Sequence, residues 1–145
     1  MRLVVDATIA LKWVVSEVGS ADAAVLRLAD QLLAPELIVT ECGNALWKKT
    51  QRNEMSPDEA RLAARAMGDV QLELRPMRNL VAAAVDLALA LDHPAYDCFY
   101  LALAAREACP LVTADERFLR KVASARIPGL PEVLTLAEAA RLVAR

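Results

Sequence analysis

His93-Pro94-Ala95-Tyr96-Asp97-Cys98-Phe99-Tyr100-Leu101-Ala102-Leu103-Ala104-Ala105, followed by Leu111-Val112-Thr113-Ala114-Asp115-Glu116-Arg117-Phe118-Leu119, is the stretch around which the chain is organised. Its first half is apolar all round and of helical length, which predicts a helix inside the core rather than on its surface. Asp97 is the one residue out of character. Pro94 presets a helix start, so Asp97 falls in the first turn, where unpaired backbone N–H groups and the positive end of the dipole favour an acid. Pro110 to Thr113 then predicts a short buried strand, and Asp115 a cap for a helix over Glu116 to Ala123. A helix packed antiparallel to the strand after it starts where that strand ends, so Asp97 and Asp115 are expected to be neighbours. That edge is where open α/β sheets carry their sites.

Working outward, Arg2-Leu3-Val4-Val5-Asp6 is a β-branched run ending in an acid, as a buried parallel strand would be. A short helix is expected over Thr8 to Val14 and another from Ser20 to about Gln31, then a strand over Leu32-Leu33-Ala34-Pro35. Glu36 to Arg52 predicts a longer helix with Glu41 near its beginning. Ser56-Pro57-Asp58-Glu59 combines a cap, an N1 proline and a capping box. Leu72-Glu73-Leu74-Arg75 alternates as a strand, and Asn79 is expected to cap a helix over Leu80 to Leu91. Ile127 to Pro131 predicts a loop, Val133-Leu134 a short strand, and Leu136 to Val143 a last helix. Strands alternating with helices define a doubly wound α/β fold with a parallel sheet.

Composition narrows the class. A chain of 145 residues with 57% hydrophobic content forms one domain with a full core. Cys42, Cys98 and Cys109 are odd in number and lack Cys-x-x-Cys spacing, which predicts buried thiols in a reducing cytosol. Three apolar residues before Asp6 are too few for a signal peptide, and no uncharged run approaches the roughly 18 residues of a membrane span. The expectation is a soluble, cytoplasmic protein. A formal net charge of -2 argues against a general polyanion binder, yet a carboxylate site neutralised by a metal keeps the total acidic while basic residues line its rim.

On this layout Asp6, Glu41, Asp97 and Asp115 arrive at one edge of the sheet. Taken singly, each has an ordinary explanation as a turn residue, a solvated helix residue, a first-turn acid or a cap. Together they repel one another unless a cation holds them, and no lysine is evident among them. Carboxylates without histidine or cysteine company select a hard divalent ion, Mg²⁺ or Mn²⁺, over zinc. Such a site activates water against a phosphodiester. Thr8 and Thr113 are placed to orient the carboxylates, and Asn44, one turn after Glu41, faces the same way. His93 is expected to shape the turn into the buried helix. Lys12, Lys48, Lys49, Arg52 and Arg117 are candidates for a sugar-phosphate path, with a solvated helix face as the plainer explanation. Trp13 and Trp47 are expected to pack. Gly-rich phosphate loops and Ser-His-Asp arrangements are absent.

Val5-Asp6-Ala7-Thr8, Glu41-Cys42-Gly43-Asn44, His93-Pro94-Ala95-Tyr96-Asp97 and Thr113-Ala114-Asp115-Glu116-Arg117-Phe118, in this order and spacing, resemble the PIN-domain ribonucleases, in particular the VapC-like toxins of toxin-antitoxin pairs. The resemblance covers nearly the whole chain. It implies a single PIN domain over residues 1–145, a three-layer α/β/α sandwich with a mainly parallel central sheet. It also implies an Mg²⁺- or Mn²⁺-dependent endoribonuclease with Asp6, Glu41, Asp97 and Asp115 as the acidic site and Thr8, Asn44 and Thr113 in support. Thr8 stands where the family commonly has serine. A homodimer, an RNA substrate and a cognate VapB-like antitoxin follow from the same resemblance. The rival expectations are a PIN nuclease of RNA maturation or DNA flap cutting, a non-catalytic interaction domain of the same fold, and a phosphatase with Asp6 as nucleophile. The last resembles a D-x-D start that Thr8 breaks.

Overall fold

A computed structural model describes residues 1–145. Five strands, β1 (Arg2–Val5), β2 (Gln31–Pro35), β3 (Glu73–Arg75), β4 (Leu111–Thr113) and β5 (Val133–Thr135), form one sheet in the order β3-β2-β1-β4-β5, with every pair parallel. Leu3, Val4 and Val5 in β1, and Leu111 and Val112 in β4, are fully buried, as required of strands covered on both faces. The register sets Val5 of β1 beside Val112 of β4, so the residues that follow them, Asp6 and Thr113, stand side by side at the edge of the sheet. From β1 the chain builds outward through β2 and β3, then returns to build the other side through β4 and β5. The switch point of the topology lies between β1 and β4.

The helices are α1 (Ala7–Ala10, continued by a 3₁₀ turn over Leu11–Trp13), α2 (Ser20–Leu26), α3 (Leu37–Gln51), α4 (Pro57–Met67), α5 (Val81–Leu91), α6 (Ala95–Glu107), α7 (Glu116–Ala125) and α8 (Leu136–Val143). Together with the sheet they make a three-layer α/β/α sandwich. Helix α6 lies on β1, β2 and β4 and packs against α5, while α2 packs against α8 and α3 against β2 and α4. Cys98, Tyr100, Leu101, Ala102, Leu103 and Ala104 are all buried, which is what the uniformly apolar sequence of α6 predicts. The three thiols are free and buried. No helix is long and apolar enough to cross a membrane.

Several local expectations are met at the level of hydrogen bonds. The Ser56 hydroxyl accepts from the Glu59 amide at 3.1 Å, and Glu59 accepts from the Ser56 amide at 3.2 Å, closing the capping box of α4. Others are corrected. Helix α2 ends at Leu26 instead of running to Gln31, because Gln31 is already paired with Arg2 in the sheet and the Asp30 amide donates to the Met1 carbonyl. Asn79 does not cap α5; it sits inside a 3₁₀ turn (Arg78–Leu80), and its carbonyl accepts from Arg106. Thr135 and Glu138 form a second capping box, at the start of α8, that the sequence reading did not anticipate.

Candidate active site

The site grows from the ends of β1 and β4. Asp6 is the first residue past β1 and caps α1, its Oδ1 accepting from the Ile9 amide at 3.3 Å. Only 5% of Asp6 is exposed, and its carboxylate is enclosed by hydroxyls: Thr8 donates to Oδ1 and Thr113 donates to Oδ2. Those hydroxyls accept in turn. The Ala114 amide donates to the Thr8 oxygen at 2.9 Å, and the Asp115 amide donates to the Thr113 oxygen at 3.0 Å. Thr8 and Thr113 therefore tie the β1 end to the β4 end through Asp6, which is the positioning role expected of them. Burial pushes the Asp6 carboxyl up to about 6; the hydroxyls of Thr113 and Thr8 pull it back down, and the Asp97 charge adds to the rise.

Glu41 comes from α3. Its carboxyl lies above the ordinary range because it is partly buried, offset by a hydrogen bond from Tyr100 and raised again by the charge of Asp97. The Tyr100 hydroxyl donates to Glu41 Oε1 at 2.6 Å from the buried face of α6. Asp97 occupies the first turn of α6. It is thus the common electrostatic neighbour of Asp6 and Glu41. Asp115 caps α7, accepting from the Phe118 amide at 3.1 Å, and reaches Asp6 only through the Thr113 bridge.

One expectation is corrected here. The acids are not without histidine company: His93 Nε2 lies 2.5 Å from Asp97 Oδ2 across the start of α6. The imidazole is only 7% exposed and its ring stacks obliquely on Phe118, with centroids 4.9 Å apart. Its Nδ1 is buried without a partner, so the tautomer with the proton on Nε2, donating to Asp97, leaves the least expensive orphan. Asp92 ends α5 in the left-handed region, φ +49°, and that reversal turns the chain inward at His93. Sequence reasoning also missed Tyr100. A phenol inside a wholly buried helix needs a partner for its hydroxyl, and that was the available signal.

The remaining candidates lie farther out. Asn44 is exposed and makes no side-chain hydrogen bond. Lys12 is committed, its ammonium 3.2 Å from Glu17 and 2.8 Å from the Val18 carbonyl. Lys48 and Arg117 are exposed. As the side chains stand, no three histidine, cysteine, aspartate or glutamate groups converge closely enough to share one ion. Each acid faces its own partner instead: Asp6 two threonines, Glu41 a tyrosine, Asp97 a histidine, Asp115 a helix N-terminus. The donor set nevertheless fits Mg²⁺ or Mn²⁺. It offers hard carboxylate oxygens, those of Asp6 buried and without a cationic partner, and Mg²⁺ characteristically takes one or two carboxylates and keeps its waters.

A parallel α/β sandwich with acids at the switch point of its sheet defines the class, and the sequence comparison gives the family. The PIN domain model matches residues 3–124, and the chain belongs to that family, which is a nuclease superfamily. No curated protein matches the chain. Among solved structures, it is similar to PAE2754 from Pyrobaculum aerophilum, with a TM-score of 0.74 and 19% identity over 99% of this chain and 98% of that one. It is also similar to VapBC2 from Rickettsia felis bound to a DNA fragment from their promoter, with a TM-score of 0.63 and 13% identity over 93% and 98%. At these identities the likeness is one of fold.

Proposed function

We propose that the protein is a divalent-metal-dependent endoribonuclease, the toxin of a toxin-antitoxin pair, acting as one PIN domain over residues 1–145. The observation that carries the reading is the joining of Asp6 to Thr8 and Thr113 at the switch point, with Asp97 as the charged neighbour of both Asp6 and Glu41. Asp6, Glu41, Asp97 and Asp115 would hold Mg²⁺ or Mn²⁺. When bound, the metal supplies an activated water and relief of the charge developing on a phosphoryl oxygen.

The chain's own groups prepare that chemistry. Thr8 and Thr113 fix the Asp6 carboxylate so that both oxygens are oriented before any cation arrives. His93 does the same for Asp97, and Tyr100 for Glu41. A carboxyl held near 6 by burial is half neutral in mildly acidic solution and a charged ligand above it. Lys48 and Arg117 would meet the sugar-phosphate backbone; Lys12 is already engaged with Glu17. The VapBC2 likeness supports a VapB-like antitoxin as partner, and the homodimer and a cytoplasmic setting belong to the same reading.

The test uses purified protein, a structured RNA and controlled metal. Cleavage is expected with Mg²⁺ or Mn²⁺, is lost with EDTA, and returns when the ion is restored. It should be absent in the Asp6→Asn variant. Cleavage that survives chelation or that substitution defeats the reading.

A further inference from the structure

We infer that the cleft between α5 and α7 is a seat for the single-stranded phosphodiester backbone of RNA flanking the reacting phosphate, with Arg120 and Lys121 as its principal phosphate contacts. The inference rests on the nuclease reading above and extends it away from the carboxylates. The cleft is shallow and open to solvent, with about 410 Å³ of space, and is lined by Ala90 and Leu91 at the end of α5 and by Arg117, Arg120, Lys121, Ser124 and Ala125 on α7. Residues 117, 120, 121 and 124 follow one helical stripe about 10 Å long. The stripe sets three cations and a hydroxyl beside Ala90, Leu91 and Ala125, two of them small. Small residues let a backbone approach closely, and phosphate oxygens accept from guanidinium, ammonium and hydroxyl donors alike.

The charges of this stripe are largely unspent. Arg117 has no ion pair, and the only carboxylate near Arg120 is Glu116, 3.9 Å away between two side chains that are both mostly exposed. Lys121 donates to a neutral group, the Asp92 carbonyl. By contrast Arg2, Lys12, Lys49 and Arg75 each lie within 3.2 Å of a carboxylate. Glu116, Asp86 on α5 and the Asp92 side chain are the acids of the neighbourhood, but none of them lines the cleft, whose own wall carries three cations and no acid in a chain whose net charge is -2. A positive strip on an acidic protein steers a polyanion to one place.

Position completes the argument. The Lys121–Asp92 hydrogen bond and the stacking of Phe118 on His93 fasten α7 to the turn that leads into α6, and His93 in turn holds Asp97. The cleft therefore adjoins the acidic edge, and a strand laid along it leads to the carboxylates.

The experiment measures binding of a short single-stranded RNA to Asp6→Asn protein, which leaves the strand uncut, over a series of salt concentrations. Adding Arg120→Ala should lower the slope of log K against log salt by about 0.7, the value for one phosphate contact on a single strand. Adding Lys121→Met as well should lower it by about 1.4 in total. Arg61→Ala with Arg65→Ala on α4 serves as the control and should leave the slope unchanged. Arg120 is exposed, so its variant keeps the test valid even if Lys121→Met loosens the Asp92 turn. An unchanged slope in both variants overturns the inference, as does displacement of the RNA by polyglutamate at equal charge concentration, which would make the cleft a seat for acidic protein. Native protein that cleaves RNA while the slope is unmoved removes the cleft and leaves the nuclease. Native protein that never cleaves, while the slope falls as stated, removes the nuclease reading and leaves the cleft.

Discussion

The two ends of α6 treat their acids in opposite ways. At the last turn, Glu107 meets cations: Arg2 lies 2.5 Å from one carboxylate oxygen and Arg75 3.1 Å from the other, and these partners hold its carboxyl below the usual range. At the first turn, Asp97 meets acids. Its neighbours are Asp6 and Glu41, both raised by burial and by the Asp97 charge itself, and its one partner is an imidazole. The same helix thus joins a charge-paired end to a charge-frustrated one. Arginines pair the acid at one end of the helix, and none pairs the acid at the other.

The sharpest way to break this comparison is to remove the frustration. Asp6→Asn is expected to reduce metal-dependent cleavage by at least about 100-fold, the scale on which electrostatic groups at a reacting centre act. Its melting temperature in metal-free buffer should hold or rise. An active variant would place the reacting edge elsewhere on the sheet.

Acid titration gives the next effect. A carboxyl raised from 3.8 to about 6 binds its proton in the native protein while the unfolded chain has already released it. Stability should therefore fall as pH rises from about 4 to about 6, by roughly 3 kcal/mol for Asp6 alone. Without metal, Asp6→Asn should lack that share of the slope. Denaturant midpoints across this range decide it, since Glu107 pulls the other way in both proteins and cancels in the difference.

Smaller still is the loss of the phenol. Tyr100→Phe strips Glu41 of its only side-chain donor and should cost about 1–2 kcal/mol. It should also weaken Mn²⁺ binding, read by calorimetry, whereas Glu36→Gln, on an exposed residue at the head of α3, should leave it unchanged. Equal effects would mean that Glu41 is not turned toward the acids. The least effect belongs to the paired end. Glu107→Gln leaves two partly exposed arginines behind and should cost no more than about 1 kcal/mol, with cleavage rates untouched.

Much of this was legible in the residues. The period of the apolar runs located the strands and helices, and the rule that sites gather beyond strand ends brought Asp6, Glu41, Asp97 and Asp115 to one edge from sequence alone. What the residues could not give were choices made by distant partners. Nothing within Ser20–Gln31 says that the helix must stop at Leu26; the reason lies in Arg2, which takes Gln31 into the sheet. Nothing beside Lys12 reveals that Glu17 holds it until the 3₁₀ turn folds the chain back. Asn44 was put forward because it lies one helical turn after Glu41, but spacing says nothing of reach, and its side chain stands in solvent. His93 was the avoidable miss. Its four-residue offset from Asp97 was readable, but a proline between them hid the contact.

The buried thiols make the molecule self-reporting. Cys42 follows Glu41 in sequence and Cys98 follows Asp97; burial pushes them up to about 12 and about 11, so at neutral pH neither presents the thiolate that alkylating reagents attack. Each becomes reactive only in the moments when its helix lifts from the sheet. Modification rates at Cys42 and Cys98 are therefore clocks for the breathing of α3 and α6, set one residue from the acids, and any ion or strand that clamps that edge should slow both.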